Sequence, residues 1–148
     1  MKCPFCRQTT TEVYNTRVTK SGSQIWRRRR CLSCHQTFTS YEAPDLSFLK
    51  VIAPGQAKPS RYSRARLFSA IYSAFAGLTA DDDTIDAVTD TVEAKLLDLQ
   101  HPQVTTTDIA RLILTTLKHF HTAAFLRYLA AHTELSGPAE LKKALKKY

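Results

Sequence analysis

The four cysteines constrain this chain more than any other feature of its sequence. They form two Cys-x-x-Cys pairs, Cys3 with Cys6 and Cys31 with Cys34, with 24 residues between the pairs. Each pair can curl its backbone so that both sulfurs face one ion, and two such pairs complete the tetrahedron that Zn²⁺ accepts in closed structural sites. Because no ligand position is then left for water, the pattern predicts a structural zinc ion bound by all four thiolates.

Two other interpretations of the cysteines are weaker. A thioredoxin-like redox pair needs only one Cys-x-x-Cys, at a turn from a strand to a helix. His35, next to Cys34, is an alternative ligand, but with four thiolates available we expect its side chain to face solvent. Disulfides are not expected, because the chain opens Met-Lys-Cys-Pro rather than with an apolar signal stretch. We therefore expect a soluble, cytoplasmic protein, and no membrane partner, because the apolar runs are far shorter than the roughly 20 residues of a membrane helix.

The residues around the cysteine pairs have the pattern of a small antiparallel sheet. Residues 13–18 and 24–30 are typical of strands, 20–23 of the turn between them, and 36–42 of a third strand. A three-stranded sheet of this size has too little core to fold by itself, so we expect a zinc ribbon that depends on its ion.

Positive charge is concentrated in the same part of the chain. The whole chain has 21 Lys and Arg against 13 Asp and Glu, a net charge of +8, and residues 1–42 hold 8 of the basic and 2 of the acidic groups. Four thiolates and one zinc ion lower the net charge of this segment to about +4. The excess predicts a nucleic acid as partner; the alternative is that the basic groups only increase solubility.

Four consecutive arginines place this charge on the second strand. Side chains alternate along a strand, so Trp26, Arg28 and Arg30 share one face. Guanidinium groups beside an aromatic plane suit phosphates and guanine edges, whereas a solvated charge run or a nuclear-type address is the alternative. The expected DNA-binding residues are Arg17, Trp26, Arg27, Arg28, Arg29 and Arg30.

The rest of the chain has the apolar spacing of four amphipathic helices, which predicts a helical bundle. Ser63 and Thr105 can cap helices, and residues 46–62 are typical of a β-hairpin that would cover the bundle. The acidic run at 81–83 suits a helix N-terminus better than a Mg²⁺ site, because consecutive positions face different directions. Neither a Ser/His/Asp or Cys/His nucleophile arrangement nor a Gly-rich phosphate loop occurs, so we expect no enzyme.

The order of these motifs resembles one known family. The chain has Cys-Pro-Phe-Cys at 3–6, Arg-Arg-Arg-Arg-Cys-Leu-Ser-Cys at 27–34 and Phe-Thr-Ser-Tyr-Glu at 38–42. This order resembles the NrdR family, bacterial transcriptional repressors of ribonucleotide reductase genes in which a zinc ribbon precedes an ATP-cone domain. Residues 61–67 and 124–130 resemble the first and last helices of the ATP-cone, so the similarity covers nearly the whole chain.

The resemblance implies an α+β fold in three segments: a DNA-binding zinc ribbon at residues 1–43, an ATP-cone-like nucleotide-binding and oligomerisation domain at 44–135, and a basic C-terminal tail at 136–148. It also implies ATP or dATP as effector, with Mg²⁺, and a homo-oligomer that binds operator DNA as duplex. The candidate nucleotide-binding residues are Lys50, Val51, Lys58, Arg61, Tyr62 and Arg66.

The chain departs from the family in its hairpin. Pro54 and Gly55 stand where the family has a Lys-Arg pair that contacts the nucleotide, and neither can bind phosphate through a side chain. Lys50, Lys58 or Arg61 can compensate, and Arg66 stands where the family has a helix lysine that reaches the phosphates. A changed nucleotide preference, or a cone that no longer senses nucleotide, is the alternative.

Two other functions are alternatives to that of a nucleotide-responsive repressor. One is a zinc-ribbon module that binds RNA or the transcription machinery while the helical part only oligomerises. The other is a fragment of a ribonucleotide reductase, which also begins with an ATP-cone; 148 residues leave no room for the catalytic barrel.

The zinc hypothesis predicts the behaviour of a Cys31→Ser variant. Loss of one thiolate should release the ion and unfold the ribbon, because metal-binding free energy is folding free energy in such domains. The helical domain should stay folded and keep its far-ultraviolet circular dichroism signal. Elemental analysis and far-ultraviolet spectra of the variant measure both effects, and simultaneous loss of zinc and helicity would contradict the two-domain division.

Overall fold

The computed structural model describes residues 1–19, 22, 24–79, 82–133, 135 and 137–148 and separates into two compact units, Met1–Asp45 and Leu46–Tyr148. The described residues of the first unit form strands and turns, and the second unit is mostly helical, so the expected α+β class is confirmed. The turn expected at 20–23 and the first residue of the acidic run, Asp81, fall wholly or partly outside the described residues.

The first unit is a three-stranded antiparallel sheet in the order β1-β2-β3. Its strands are β1 (Thr11–Val18), β2 (Ile25–Cys31) and β3 (Thr37–Glu42). A β-bulge between Val13 and Asn15 interrupts the pairing of β1 with β2 at Tyr14. Among the described residues of this unit only Cys3, Cys31 and Ser40 are buried, so the sheet has almost no apolar core.

The described residues of the second unit form a small sheet and five α-helices. Its elements are a 3₁₀ turn at Leu46–Phe48, β4 (Lys50–Ile52), β5 (Ser60–Arg61), α1 (Arg64–Phe75), α2 (Asp82–Asp98), β6 (Gln103–Thr105), α3 (Thr106–Phe120), α4 (Thr122–His132) and α5 (Pro138–Lys147). The four predicted helices and the hairpin of β4 with β5 are present. The sequence pattern missed β6, a three-residue strand that pairs in parallel with β4.

The hairpin expected at residues 46–62 begins later than predicted, because residues 46–48 form the 3₁₀ turn, and Leu46 and Leu49 are buried against the helices. The helices α1 to α4 supply most of the core, whose largest fully buried apolar side chains are Leu49, Ile71, Leu96, Ile113, Leu114, Leu117 and Leu129. No helix in the described part of the chain is long and apolar enough to cross a membrane.

Helix capping agrees with the sequence at one predicted site and differs at another. Thr105 and Asp108 form a reciprocal capping box at the start of α3, in which the Thr105 hydroxyl accepts from the Asp108 amide at 3.0 Å. Ser63 occupies the cap position of α1, but its side chain makes no cap hydrogen bond; its backbone carbonyl accepts from the amides of Arg66 and Leu67. His121, to which the sequence pattern assigns no role, caps α4: its Nδ1 accepts from the amide of Ala124 at 3.3 Å.

The C-terminal segment is a fifth helix that packs on this unit. Ala144 of α5 is buried in the core cluster, and Tyr148 packs against the same cluster. Pro138 occupies the first turn of α5, where its missing N–H leaves no backbone bond unmade.

The capping box of α3 predicts the effect of Thr105→Ala. Removing the hydroxyl should lower the free energy of unfolding of the helical unit by about 1 kcal/mol, because an amide of the first turn loses its partner. Urea denaturation followed at the helical dichroism band measures the change. Thr107→Ala, at an exposed position two residues further on, is the matched control and should change stability by less than about half that amount.

The same capping box should make the unfolding free energy of the helical unit depend on pH. The Thr105 side chain and backbone donate to the Asp108 carboxylate and hold its pKa below the ordinary value. A carboxyl with a lowered folded-state pKa contributes its full stabilisation above the unfolded-state pKa and loses it as the pH falls through the folded value. The difference between the wild type and Thr105→Ala should therefore shrink at low pH.

Candidate metal centre, nucleic-acid face and nucleotide cavity

The four cysteine sulfurs converge on one point. The Sγ atoms of Cys3 and Cys34 are 3.7 Å apart, those of Cys6 and Cys31 are 3.5 Å apart, and all four lie within 4.8 Å of one another. A tetrahedral ion with Zn–S bonds of about 2.3 Å has its ligand sulfurs about 3.8 Å apart. The donor set and its dimensions therefore fit a closed zinc site.

The two Cys-x-x-Cys segments have the same backbone conformation. The amides of Arg7 and His35 donate to the carbonyls of Cys3 and Cys31 at 2.9 and 3.0 Å, and both residues have a left-handed φ, 63° and 59°. A non-glycine residue accepts this conformation only when its surroundings enforce it. His35 therefore serves the turn and its exposed ring is not part of the sulfur cluster, as expected from the sequence.

The turn also prepares a thiolate for the metal. The backbone N–H groups of Cys34 and Ser33 point at the sulfur of Cys31 and lower the pKa of its thiol to about 6. Metal ligation needs deprotonated sulfur, and the turn favours it at Cys31. At Cys34 the hydrogen bond from the Gln36 backbone is outweighed by burial and the neighbouring sulfurs, which raise the pKa of its thiol, so its proton has to leave when an ion binds.

One face of the sheet carries Trp26, Arg28 and Arg30 of β2, and we name it the Trp26 face. The guanidinium of Arg17 lies 5.7 Å from the centre of the Trp26 ring. Arg28 donates to the hydroxyls of Thr37 and Thr39 at 3.0 Å and of Tyr14 at 3.3 Å. These acceptors are neutral, so they orient the Arg28 fork without cancelling its charge.

The opposite face carries Arg27 and Arg29. Arg27 donates to both carboxylate oxygens of Glu42, at 2.7 and 3.1 Å, and lowers the pKa of that carboxyl. Arg29 donates to Ser40 at 2.8 Å and its side chain is 15% exposed. The four arginines that the sequence groups together are thus divided into two that are ion-paired or largely covered and two on the Trp26 face.

A cavity of about 470 Å³ lies in the helical unit between β4, β5 and the helices α1, α3 and α4. This volume falls within the usual range of small-molecule sites. Apolar side chains such as Val51, Leu67 and Ile109 form much of the wall, and two exposed cations, Arg61 and Arg66, border it.

Of the candidate nucleotide-binding residues, Val51, Arg61, Tyr62 and Arg66 line this cavity. The tyrosine is buried and donates to Glu93 at 2.9 Å; burial first, and the carboxylate second, raise the pKa of its phenol, so it stays protonated. The other two candidates, Lys50 and Lys58, are exposed and are not among the lining residues.

The cavity also has lining residues that the sequence did not single out. The rings of Tyr128 and His132 stack with centroids 3.9 Å apart, and burial raises the pKa of the Tyr128 phenol to about 12. Their spacing of four residues on α4 is the signal that could have placed them on one face. Gln56 of the hairpin also lines the cavity, whereas Pro54 and Gly55 do not.

Two protein-family models match the chain, one in each of its two units. Residues 1–42 match the family profile described as "Transcriptional repressor NrdR-like, N-terminal domain", and residues 58–134 match the ATP cone domain. The ATP cone match begins after Pro54 and Gly55, so the altered hairpin loop lies outside both matches.

Curated relatives align along almost the full chain. Proteins named "Transcriptional repressor NrdR" from Paracidovorax citrulli, Bordetella petrii and Polynucleobacter necessarius are 33%, 32% and 31% identical over 96%, 99% and 99% of this chain and 95%, 92% and 98% of their own lengths. The relatives are named as regulators and not as enzymes. By its zinc ribbon, its ATP cone and this full-length similarity, the chain belongs to the NrdR family of transcriptional repressors.

Proposed function

We propose that this protein represses ribonucleotide reductase genes by binding operator DNA through the Trp26 face and ATP or dATP through the cavity of the helical unit. The observation that carries the proposal is the division of the arginines. Glu42 pairs with Arg27 on one face, while Arg28 on the other is held only by hydroxyl groups and keeps its charge for an external anion.

The chemistry of the Trp26 face suits a duplex. Arg17, Arg28 and Arg30 supply cations for phosphates, and an arginine fork can also bind two acceptors of a guanine edge. Tyr14 and Tyr41 expose their rings beside them, 56% and 61% exposed. Because the zinc ion fixes the turns at the ends of the strands, these groups are oriented before DNA binds, which reduces the ordering cost of association.

The cavity suits a nucleotide because its two kinds of wall match the two ends of such a ligand. Arg61 and Arg66 can neutralise phosphates, while the stacked Tyr128 and His132 and the apolar residues can enclose a base. Arg66 lies in the first turn of α1, where the N-terminal end of the helix dipole also favours an anion.

Coupling between nucleotide and DNA requires two assembly states. An effector changes DNA affinity only if it binds one state better than the other. We therefore propose that ATP or dATP changes how copies of the helical unit associate, and that paired ribbons bind two half-sites whose spacing the assembly fixes. Native mass spectrometry with each nucleotide added, together with identification of co-purified nucleotide, tests this step.

A second candidate is a nucleic-acid-binding member of the family that no longer senses nucleotide. It is favoured by the hairpin, in which Pro54 and Gly55 carry no phosphate-binding group and Lys50 and Lys58 lie outside the cavity wall. Salt titrations with operator, scrambled duplex and RNA separate sequence-specific repression from general binding. Equal affinity for all three would defeat the operator hypothesis.

The two sheet faces predict different effects for Arg28→Ala and Arg27→Ala. Loss of Arg28 should reduce the slope of log K against log salt by up to ~0.9, the value for one phosphate contact. Loss of Arg27 should change the slope less, because Glu42 already neutralises it. The slopes are measured by fluorescence anisotropy with operator duplex. Equal slopes for the two variants would remove the assignment of DNA to the Trp26 face.

The cavity predicts that Arg66→Ala weakens binding of ATP or dATP by about tenfold or more, because a charge-assisted hydrogen bond contributes about 1.5–3 kcal/mol. Isothermal titration calorimetry measures the change. Arg111→Ala removes an exposed cation that lies outside the cavity and is the matched control. If both variants bind nucleotide as the wild type does, the cavity is not the nucleotide site.

A further inference from the structure

The basic C-terminal helix α5 has no role in the proposed function so far, and we propose that it is a second DNA-contacting surface, whose lysines bind the phosphate backbone without regard to sequence. Its lysines are Lys142, Lys143, Lys146 and Lys147. The inference rests on duplex DNA being the partner of this protein, and it adds a contact outside the ribbon.

The distribution of charge in the helical unit is the first argument. Residues 46–137 contain nine basic and nine acidic side chains, whose charges cancel. Residues 138–148 contain four lysines and one acidic residue, Glu140. The whole net charge of the helical unit, +3, therefore lies on α5. Residues 1–45 have a net charge of +5, which four thiolates and a zinc ion lower to about +3. The helix thus carries as much net positive charge as the zinc-bound ribbon.

The second argument is the exposure of these lysines and their lack of ion pairs with other described residues. All four are exposed, and none takes part in an ion pair between described residues. Lys142 with Lys146, and Lys143 with Lys147, are like charges four positions apart, an arrangement that destabilises a helix slightly. An external polyanion would remove this repulsion. Lys147 also lies 5.4 Å from the ring centre of Tyr148, which packs against the core.

The third argument concerns the kind of polyanion. A helix that binds a lipid surface inserts its apolar face. In α5 the centre of this face is engaged, since Ala144 is buried in the core of the helical unit and Tyr148 packs against it, which leaves only the two partly exposed leucines Leu141 and Leu145 for a lipid. A phosphate backbone needs no apolar face.

The test compares two fourfold variants of the full-length, zinc-loaded protein. In one, Lys142, Lys143, Lys146 and Lys147 are each replaced by Gln, and in the other each is replaced by Arg. Binding to a fluorescent duplex of scrambled sequence is measured over a series of KCl concentrations. The Gln variant should lower the salt slope by ~0.9 for each lysine that contacts a phosphate, whereas the Arg variant should keep the wild-type slope because it keeps the charge. Lys118→Gln, which removes one exposed cation of α3, is the control outside α5 and should leave the salt slope unchanged.

An unchanged salt slope in the fourfold Gln variant overturns the proposal. So does loss of binding to phosphatidylglycerol vesicles without loss of DNA affinity, which would identify α5 as a lipid-binding helix. The ratio of operator to scrambled affinity, measured on the same variants, separates this inference from the proposed function. If the wild type binds operator and scrambled duplex equally well, the operator hypothesis is defeated, but the salt slope still tests the role of α5. If the wild type prefers the operator and the fourfold Gln variant keeps the wild-type salt slope, only the proposal for α5 is defeated.

Discussion

The fold of the first unit depends on a metal ion that joins two turns. Its sheet buries only Cys3, Cys31 and Ser40 among the described residues, so apolar burial cannot offset the entropy of ordering some 45 residues. Zinc–thiolate bonds take the place of a core. The left-handed backbone conformation of Arg7 and His35 is explained by the shared ion, because each residue turns the chain so that two sulfurs can reach it. The residues on the sheet faces are then free to be polar.

That freedom is what makes the Trp26 face available for binding. In a sheet with an apolar core, one face would have to be hydrophobic, and four adjacent arginines would be excluded. Here Arg27 and Arg29 occupy one face with Glu42 and Ser40, while Arg28 lies opposite with neutral partners. The Glu42 carboxylate thus decides which arginines of β2 are ion-paired within the described part of the sheet.

The helical unit is stabilised differently, and its site follows from that difference. Its helices bury a continuous apolar core, and the cavity lies where the short sheet meets α1, α3 and α4. Strand β6 pairs in parallel with β4 and leads directly into α3 through the capping box at Thr105. The pairing and the cap together position one wall of the cavity. The stacked pair of Tyr128 and His132 forms another part of the wall.

The sequence by itself determined the grouping of four cysteines, the α+β class, the basic strand and the first four helices, because cysteine spacing, charge and periodicity are local properties of a chain. It did not determine strand β6, the cap at His121, the separation of Arg27 from Arg28 by their partners, or the exclusion of Lys50 and Lys58 from the cavity wall. Those outcomes depend on which distant residues meet. A parallel pairing across about 50 residues, or a carboxylate placed by the neighbouring strand, has no local signature, so only the tertiary structure decides it.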